Sequence, residues 1–556
     1  MKIRQLTIEN FRGIKKLDWK PEPDNILCLV GHGDSSKSTL LRAIEYVLYP
    51  KWNLQIRDTD FYLCDPVKNK IIVRIILGEL PAYLEGSIDL VWHWNKEKKE
   101  ICDLQEHENN SSGSTESVFV IELTIDDTLE PKWTLKGESG LDEELSTKRR
   151  NSFNLIRLDN SSERNFQWKY NTLLTRLTES GYDKDVRSLL SDAGRSARGN
   201  FDASTLPDHL KKSSEMISNE ARIFGAGHNG LIPNIDVFCP DALCLHDNNN
   251  VPIYMLGEGS KKLLLLSMEK ILLELGKEKN DQHLVIMDEI ERGLEPHRLR
   301  HLVLILRRMM EQYNSQAIIA THSPTTIVEI GEFGVYRVKN DNGEVKVEKV
   351  PDASRIRKEP EGFFINDVIL CEGNTELGIM RAFKEEWMRK YNQAVEHKGV
   401  YFIRAHGSEM SHYAGSYKES LGYRVCVYRD SDAKIELPAE VKDVFEYDGS
   451  INIEQAICKD APLDLIKEMI DFCKTSGFDG VPGFDEKNFS TKNRETLASF
   501  LHDCNDEKGA FRNIGDAEKL GKMIVKYSKQ FPTSSTLIDT INKIEKWIYE
   551  DITEKS

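Results

Sequence analysis

Three sets of residues in this 556-residue chain have the types and spacing to do chemistry. The first is Gly31-His32-Gly33-Asp34-Ser35-Ser36-Lys37-Ser38-Thr39. Glycines and small polar residues let backbone N–H groups close around phosphate oxygens. A lysine then meets the β- and γ-phosphates, and the hydroxyl after it ligates Mg²⁺. Lys37 and Ser38 take those two roles, and Gly31, Gly33, Ser35, Ser36 and Thr39 complete the cradle. Ser36 stands where the usual G-x-x-x-x-G-K-[ST] spacing has its second glycine, so a Cβ must fit there. The second set is Asp288-Glu289, closing an apolar run. Asp288 is placed to order Mg²⁺ and Glu289 to polarise an attacking water. The third set is Glu372 in Cys371-Glu372-Gly373, Glu376 four residues on, and Asp430 with Asp432 in Asp430-Ser431-Asp432. Hard oxygen donors of this kind suit Mg²⁺ or Mn²⁺ rather than zinc. Glu454 is a further candidate ligand, with a solvated helix glutamate as the alternative.

Each set needs particular elements behind it. Residues 26–30 read as a buried strand and 40–48 as a helix, the strand–loop–helix setting of a phosphate loop. Residues 283–287 read as a strand whose acids emerge at the C-terminal edge, where ligands of α/β sheets bind. Residues 316–320 form another buried strand, ending in Thr321-His322-Ser323-Pro324. Leu256-Gly257-Glu258-Gly259-Ser260-Lys261-Lys262 precedes a helix at 263–276, and a glycine-rich turn at a helix N-terminus makes Gly259 and Ser260 a second anion site. A strand at 366–371 would deliver Glu372 into a tight glycine turn, with Glu376 facing the same ion from the first helical turn. A further strand at 399–404 ends near His406-Gly407-Ser408. Strand alternation after 423–428 puts Asp430 and Asp432 on one side.

The rest of the chain is scaffold. Residues 71–80, 87–94 and 118–125 read as an antiparallel meander. The polar tract 95–116 reads as a solvated loop. Lys148-Arg149-Arg150 reads as a solvated basic triplet, with DNA contact as the alternative. Residues 165–225 look helical and amphipathic, Leu173, Leu174, Leu177, Leu189 and Leu190 suggesting one packed face. Packing on the head and dimerisation both remain open for it. A hairpin at 335–350, turning at Asn340-Asp341-Asn342-Gly343, leads to a charged, prolyl linker.

The net charge of −16 argues against a generally basic DNA coat, while a local basic groove or carboxylate-bound metal still allows nucleic acid. No apolar run approaches the roughly 18–20 residues of a membrane span, and the start is strand-like rather than a signal peptide. The ten cysteines show no CxxC pair. Cys239 and Cys244 with His246 lack the second pair of a zinc site, so reduced thiols and a cytoplasmic location are expected.

The strand and Asn10-Phe11-Arg12-Gly13 turn ahead of the phosphate loop resemble the heads of ABC-type ATPases of the Rad50, SMC and RecF group. That resemblance implies that Gly259 and Ser260 belong to a signature loop meeting the γ-phosphate held by a second chain. It makes Gly293-Leu294-Glu295-Pro296-His297 the D-loop region and His322 the switch histidine. Gln55 is read as a solvated loop residue, with the metal-sensing glutamine of such ATPases as the alternative. Glu-Gly after one strand and Asp-x-Asp after a later one resemble the Toprim pattern. An ABC-type head followed by Toprim resembles, over nearly the whole chain, the OLD (overcoming lysogenisation defect) family of ATP-dependent nucleases.

The expected fold is therefore α/β: an ABC/Rad50-like ATPase head at 1–352 with a helical insertion at about 165–225, a linker at 353–363, and a Toprim domain with a C-terminal helical region at 364–556. The resemblance implies an ATP-regulated, divalent-metal-dependent DNA endonuclease, with ATP and Mg²⁺ or Mn²⁺ as cofactors. The implied partners are DNA, a homodimer or higher homo-oligomer, and a helicase or a retron reverse transcriptase with its nucleic acid, in bacterial defence against phage. No membrane partner is expected. It also implies a lysine on the scissile phosphate, for which helix spacing prefers Lys519 over Lys522. The alternative is a Rad50/RecF-like DNA-binding ATPase whose Toprim domain recruits DNA or a partner without cleavage. Ser36, and a signature loop unlike "LSGGQ", bear on ATP turnover more than on nucleotide binding.

Overall fold

The computed structural model describes residues 1–50, 53–81, 91–102, 114–138, 140, 142–158, 165–166, 172–181, 196, 208, 245, 251–276, 282–331, 334–350, 359–432, 435–478, 480–485, 487, 489–503, 511 and 513–550.

A 14-stranded sheet organises the head. In one half, Leu155–Arg157, Leu284–Met287, Gln316–Ala320, Ile26–Val30 and Val335–Asp341 lie side by side and parallel. Such strands are covered on both faces, which demands continuous apolar runs. Ile26–Val30, Leu284–Met287 and Gln316–Ala320 are accordingly buried at every position. Because these three are neighbours and parallel, the segments leaving their C-terminal ends meet along one edge. Those segments are the Lys37 loop, Asp288-Glu289 and Thr321-His322.

The other half is antiparallel and is reached through the hairpin Val335–Asp341/Glu344–Lys349. The turn itself is Asn342-Gly343, both at positive φ (51° and 94°), as a two-residue hairpin requires. Asn340 therefore lies in the strand rather than in the turn. The order continues through Ile14–Trp19, Lys2–Phe11, Ile71–Gly78, Thr115–Ile125 and Trp92–Asn95. The expected meander is thus reordered. Thr115–Ile125 pairs directly with Ile71–Gly78, and Trp92–Asn95 lies outside it. The long strand, buried over most of its length, takes the interior place and the short one the edge. Residues 87–90, where that second strand was expected to begin, and 103–113 of the polar tract lie outside the described residues.

Helix Lys37–Val47 packs on one face of the head sheet, and helices Glu258–Gly276 and Pro296–Gln312 on the other. Of the expected helical insertion, Leu173–Gly181 is a helix whose Leu173, Leu174 and Leu177 join the head's core. Leu189, Leu190, Cys239, Cys244 and His246 lie outside the described residues.

A second sheet of four parallel strands follows, ordered Val400–Arg404, Asp367–Cys371, Arg424–Tyr428, Asp443–Phe445. One face is covered by helices Asn374–Tyr391, Ile453–Asp460, Ile514–Tyr527 and Thr536–Tyr549. The other face, through Val368, Leu370, Ile403, Val425 and Val427, belongs to the same apolar cluster as the head's Leu302, Met310 and Ile327. Part of the expected linker at 353–363 is ordered against the fold. Residues 353–358 lie outside the described residues, but Pro360–Phe364 is a short 3₁₀ turn with Phe363 fully buried. No described helix is long and apolar enough to cross a membrane.

Candidate functional sites

At the head's edge the phosphate loop closes on its own lysine. Lys37 Nζ donates to the carbonyls of Gly31 and His32, both at 2.9 Å, and to Ser35 Oγ at 3.0 Å. Burial depresses its pKa to about 8, and Asp288, Asp34 and Glu291 oppose that shift. Ser38 Oγ donates to Asp288 Oδ1 at 3.0 Å, so the hydroxyl and the carboxylate expected to share one ion already touch. Ser36 takes φ +74°, the left-handed conformation that glycine adopts without strain. Its hydroxyl is held by Asn340 Nδ2 at 2.8 Å, and the same amide nitrogen donates to the Gly13 carbonyl at 3.0 Å. Asn340 thus ties three segments together and fixes the Ser36 hydroxyl. Thr39 is half-buried in the first turn of the helix, and Gly33 sits in open space.

Glu289 leaves the acidic strand at φ +48°, exposed, with Arg292 at 3.5 Å. Its carbonyl accepts from buried Lys262 Nζ at 2.7 Å. The helix expected at 263–276 begins at Glu258, placing Gly259 and Ser260 in its first turn. A Cβ on Gly259 would lie 2.3 Å from the Gly293 carbonyl oxygen, so this glycine permits contact between the two turns. Among the described residues no hydrogen bond joins Ser260 to the Lys37 loop. Gln55 is exposed in an irregular segment.

Sequence reasoning missed Glu291. Its two oxygens accept from Thr321 Oγ1 at 2.6 Å and from the His322 backbone N–H at 2.7 Å, fixing the histidine's segment beside Asp288. A third acid two residues after Glu289 was the available signal. Burial and the nearby Lys37 lower the His322 pKa. The imidazole faces the Phe364 ring, centroids 5.9 Å apart.

The second site is a cavity of about 260 Å³ at the C-terminal ends of the second sheet, lined among others by Glu372, Glu376, Arg404, Asp430, Glu454 and His502. Glu372 Oε2 accepts from the Asp430 N–H at 3.0 Å. Glu376 Oε2 accepts from the Gly373 N–H at 2.8 Å, closing the first turn of its helix. Buried Glu454 has His502 Nδ1 at 3.6 Å. Asp432 is exposed and is not among the residues lining the cavity. Burial pushes the Glu372, Glu376 and Asp430 carboxyls up, and mutual repulsion adds to it. Asp430 Oδ1 is buried and has no hydrogen-bond partner among the described residues. An unpartnered buried oxygen among carboxyls that repel one another, all hard donors, is a donor set that fits a divalent cation. Among the described residues no three His, Cys, Asp or Glu side chains stand close enough to enclose an ion as they lie.

Lys519 and Lys522 are not in this cavity. Ala517 and Gly521 pack against helix Asn374–Tyr391 so tightly that a Cβ on Gly521 would lie 2.8 Å from the Gly378 carbonyl oxygen. Lys519, two residues from each, is turned outward. It pairs with Asp516 at 2.8 Å, and Lys522 with Glu518 at 3.3 Å.

Two family models match the chain: the AAA ATPase domain over residues 1–130 and 91–327, and the overcoming lysogenization defect protein-like TOPRIM domain over 363–432. No curated protein matches. Among solved structures, the SMC head bound to the C-winged helix domain of ScpA is 14% identical at a TM-score of 0.33, covering 62% of this chain and 97% of that one. The SMC head domain from Thermotoga maritima is 13% identical at 0.29, covering 63% and 99%. The recombination mediator protein RecF–ATPrS of the RecFOR pathway is 12% identical at 0.32, covering 62% and 97%. Superpositions this loose bear on neither ligand nor partner.

Proposed function

The chain belongs to the AAA ATPase domain family and joins to that head a Toprim domain of the overcoming-lysogenisation-defect type, and from that premise we propose an ATP-regulated, divalent-metal-dependent DNA endonuclease. The observation that carries the reading is the convergence of Glu372, Glu376, Asp430 and Glu454 on one cavity, with Asp430 Oδ1 buried and unpartnered. Glu372, Glu376 and Asp430 would hold Mg²⁺ or Mn²⁺, with Glu454 and Asp432 as further candidate ligands. A bound pair of such ions activates water and stabilises the leaving oxygen in phosphodiester hydrolysis. The Asp430 N–H keeps one oxygen of Glu372 fixed while leaving the other for a ligand.

In the head, Lys37 would hold the phosphates of ATP, Ser38 and Asp288 would hold its Mg²⁺, and Glu289 would polarise water. Gly259 and Ser260 of a second copy complete the site, making the working unit a homodimer or larger. Control passes through His322, which faces Phe364, three residues before the strand that delivers Glu372. The cellular setting is bacterial defence against phage, in the cytoplasm, beside a helicase or a reverse transcriptase.

The test is nicking of supercoiled plasmid with Mg²⁺ or Mn²⁺, with and without ATP, by the wild type and by Glu372→Ala. Metal-dependent nicking that the variant lacks while melting like the wild type is the expected result. Cleavage by a clean Glu372→Ala preparation refutes the site. DNA binding without nicks under every condition favours a recruiting ATPase instead.

A further inference from the structure

One cation shares the acidic cavity and is bound to none of its acids. Arg404 closes the strand Val400–Arg404, level with Cys371 on the neighbouring strand and so one residue short of Glu372. Strand alternation puts its side chain on the face of Cys371 and Phe402, the face covered by helix Asn374–Tyr391. There it lines the cavity with Glu372, Glu376, Asp430 and Glu454. Its Nε is buried without a hydrogen-bond partner, and among the described residues its guanidinium makes no ion pair.

That is an unusual state for an arginine beside four carboxylates. A guanidinium with five donors is expected to form a bidentate pair with any carboxylate in reach. The neighbouring Arg429 shows the ordinary outcome, since it pairs with Glu446 at 2.6 Å and bonds the Ile435 carbonyl. A buried donor without a partner costs free energy and is retained where a ligand satisfies it. Arg404 is therefore aimed at an anion that arrives in the cavity rather than at the walls already there. Its planar fork matches two oxygens of a phosphodiester, while the acids repel that group until cations cover them.

We propose that Arg404 is the residue of this chain that grips the DNA phosphate entering the acidic cavity, a role that the family resemblance implies for a lysine, Lys519 or Lys522. The proposal rests on the endonuclease reading of the same cavity. It also orders the events: the divalent ion binds first, and Arg404 then holds a non-bridging oxygen of the phosphate brought to it. Lysine at this position keeps the charge but loses the bidentate geometry.

The experiment uses the full chain in Ca²⁺, with a gel confirming that the DNA stays intact. Two quantities are read for the wild type, Arg404→Gln and Arg404→Lys. One is the rise in melting temperature on adding Ca²⁺. The other is the Ca²⁺-dependent affinity for a short labelled duplex across a series of salt concentrations. Arg404→Gln should keep the wild-type thermal shift, bind DNA about tenfold more weakly, and lose about one unit of the log–log salt slope. Arg404→Lys should recover the slope and part of the affinity. Wild-type affinity and slope in Arg404→Gln overturn the proposal. So does loss of the Ca²⁺ shift in that variant, which would make Arg404 a support of the cation site. A wild type with no Ca²⁺ shift overturns the metal-site reading itself, and this proposal with it, before any variant is compared.

Discussion

Replacing Asp430 by asparagine should make the metal-free protein more stable, the reverse of what a buried polar residue usually does. The folded state pushes the Asp430 carboxyl from 3.8 to about 9, through burial first and then through Glu376, Glu454, Glu372 and Asp432. A carboxyl whose folded pKa is raised holds a proton that the unfolded chain has released. Its stabilising effect is complete below about pH 4 and is lost as pH rises toward about 9. At pH 7 the gap to the unfolded value is about 3 units, a ceiling of about 4 kcal/mol at about 1.4 kcal/mol per unit. Repulsion shared with Glu376 and the open side of the cavity reduce this to about 1–3 kcal/mol. For a unit of about 150–250 residues that corresponds to roughly 2–12 °C in melting temperature. Thermal melts in EDTA across pH 5 to pH 8.5 should show the wild type losing stability with pH more steeply than Asp430→Asn. Added Mg²⁺ or Mn²⁺ should raise the wild type and leave the variant nearly unmoved. An Asp430→Asn protein that melts below the wild type in EDTA at neutral pH, or that keeps the wild-type response to cations, refutes the reasoning.

Three further outcomes are expected. Glu291→Gln keeps the shape of the side chain but weakens its hold on Thr321 and the His322 N–H, so ATP hydrolysis should fall about tenfold or more while ATP-induced thermal stabilisation persists. Equal turnover in variant and wild type counts against a positioning role for Glu291. Phe364→Ala removes the ring facing His322 and should leave basal metal-dependent nicking intact while abolishing the difference between lanes with and without ATP. A preserved ATP effect would mean that control runs elsewhere. Lys519→Ala should change nicking by less than about twofold, because the side chain is paired outside the cavity; a large loss would return Lys519 to the site.

What could be seen in the sequence divides along a physical line. The phosphate loop, Asp288-Glu289 and the Glu372 and Asp430 turns are local: a few adjacent residues carry both the strand and the chemistry, and parallel pairing does the rest. What escaped depends on contacts between distant segments. Asn340 reaches Ser36 only because the strand Val335–Asp341 pairs with Ile26–Val30. Before that register is known, Asn340 is one more turn former. Glu291 reads as a surface acid until the strand Gln316–Ala320 brings Thr321 to it. Arg404 ends a strand like many others, and its meaning comes from what it fails to pair with. Lys519 shows the converse error. Helix periodicity says which residues share a face but not which face is taken, and Ala517 with Gly521 took it.

The joint between head and Toprim sheet bears on how any signal could cross. A domain hung on a solvated linker can swing freely, and a nucleotide would bias only its average position. Here the inner face of the second sheet and the helices Pro296–Gln312 and Pro324–Ile330 contribute to one apolar cluster. Arg337 of the head stacks 4.2 Å over the Tyr423 ring and bonds the Leu421 carbonyl, while Tyr423 OH donates to the Gly362 carbonyl at 2.7 Å. A Cβ on Gly362 would lie 2.5 Å from Tyr417 OH, so the turn before the Toprim strand has no slack on that side. Close-packed interiors do not bend gradually; they hold one arrangement or change to another. A shift of His322 therefore acts on a turn already clamped by Tyr417 and Tyr423, one strand length from Glu372. In a joint built this way, the control proposed above would take the form of a small displacement of the strand that carries Glu372, and the sheets need not separate.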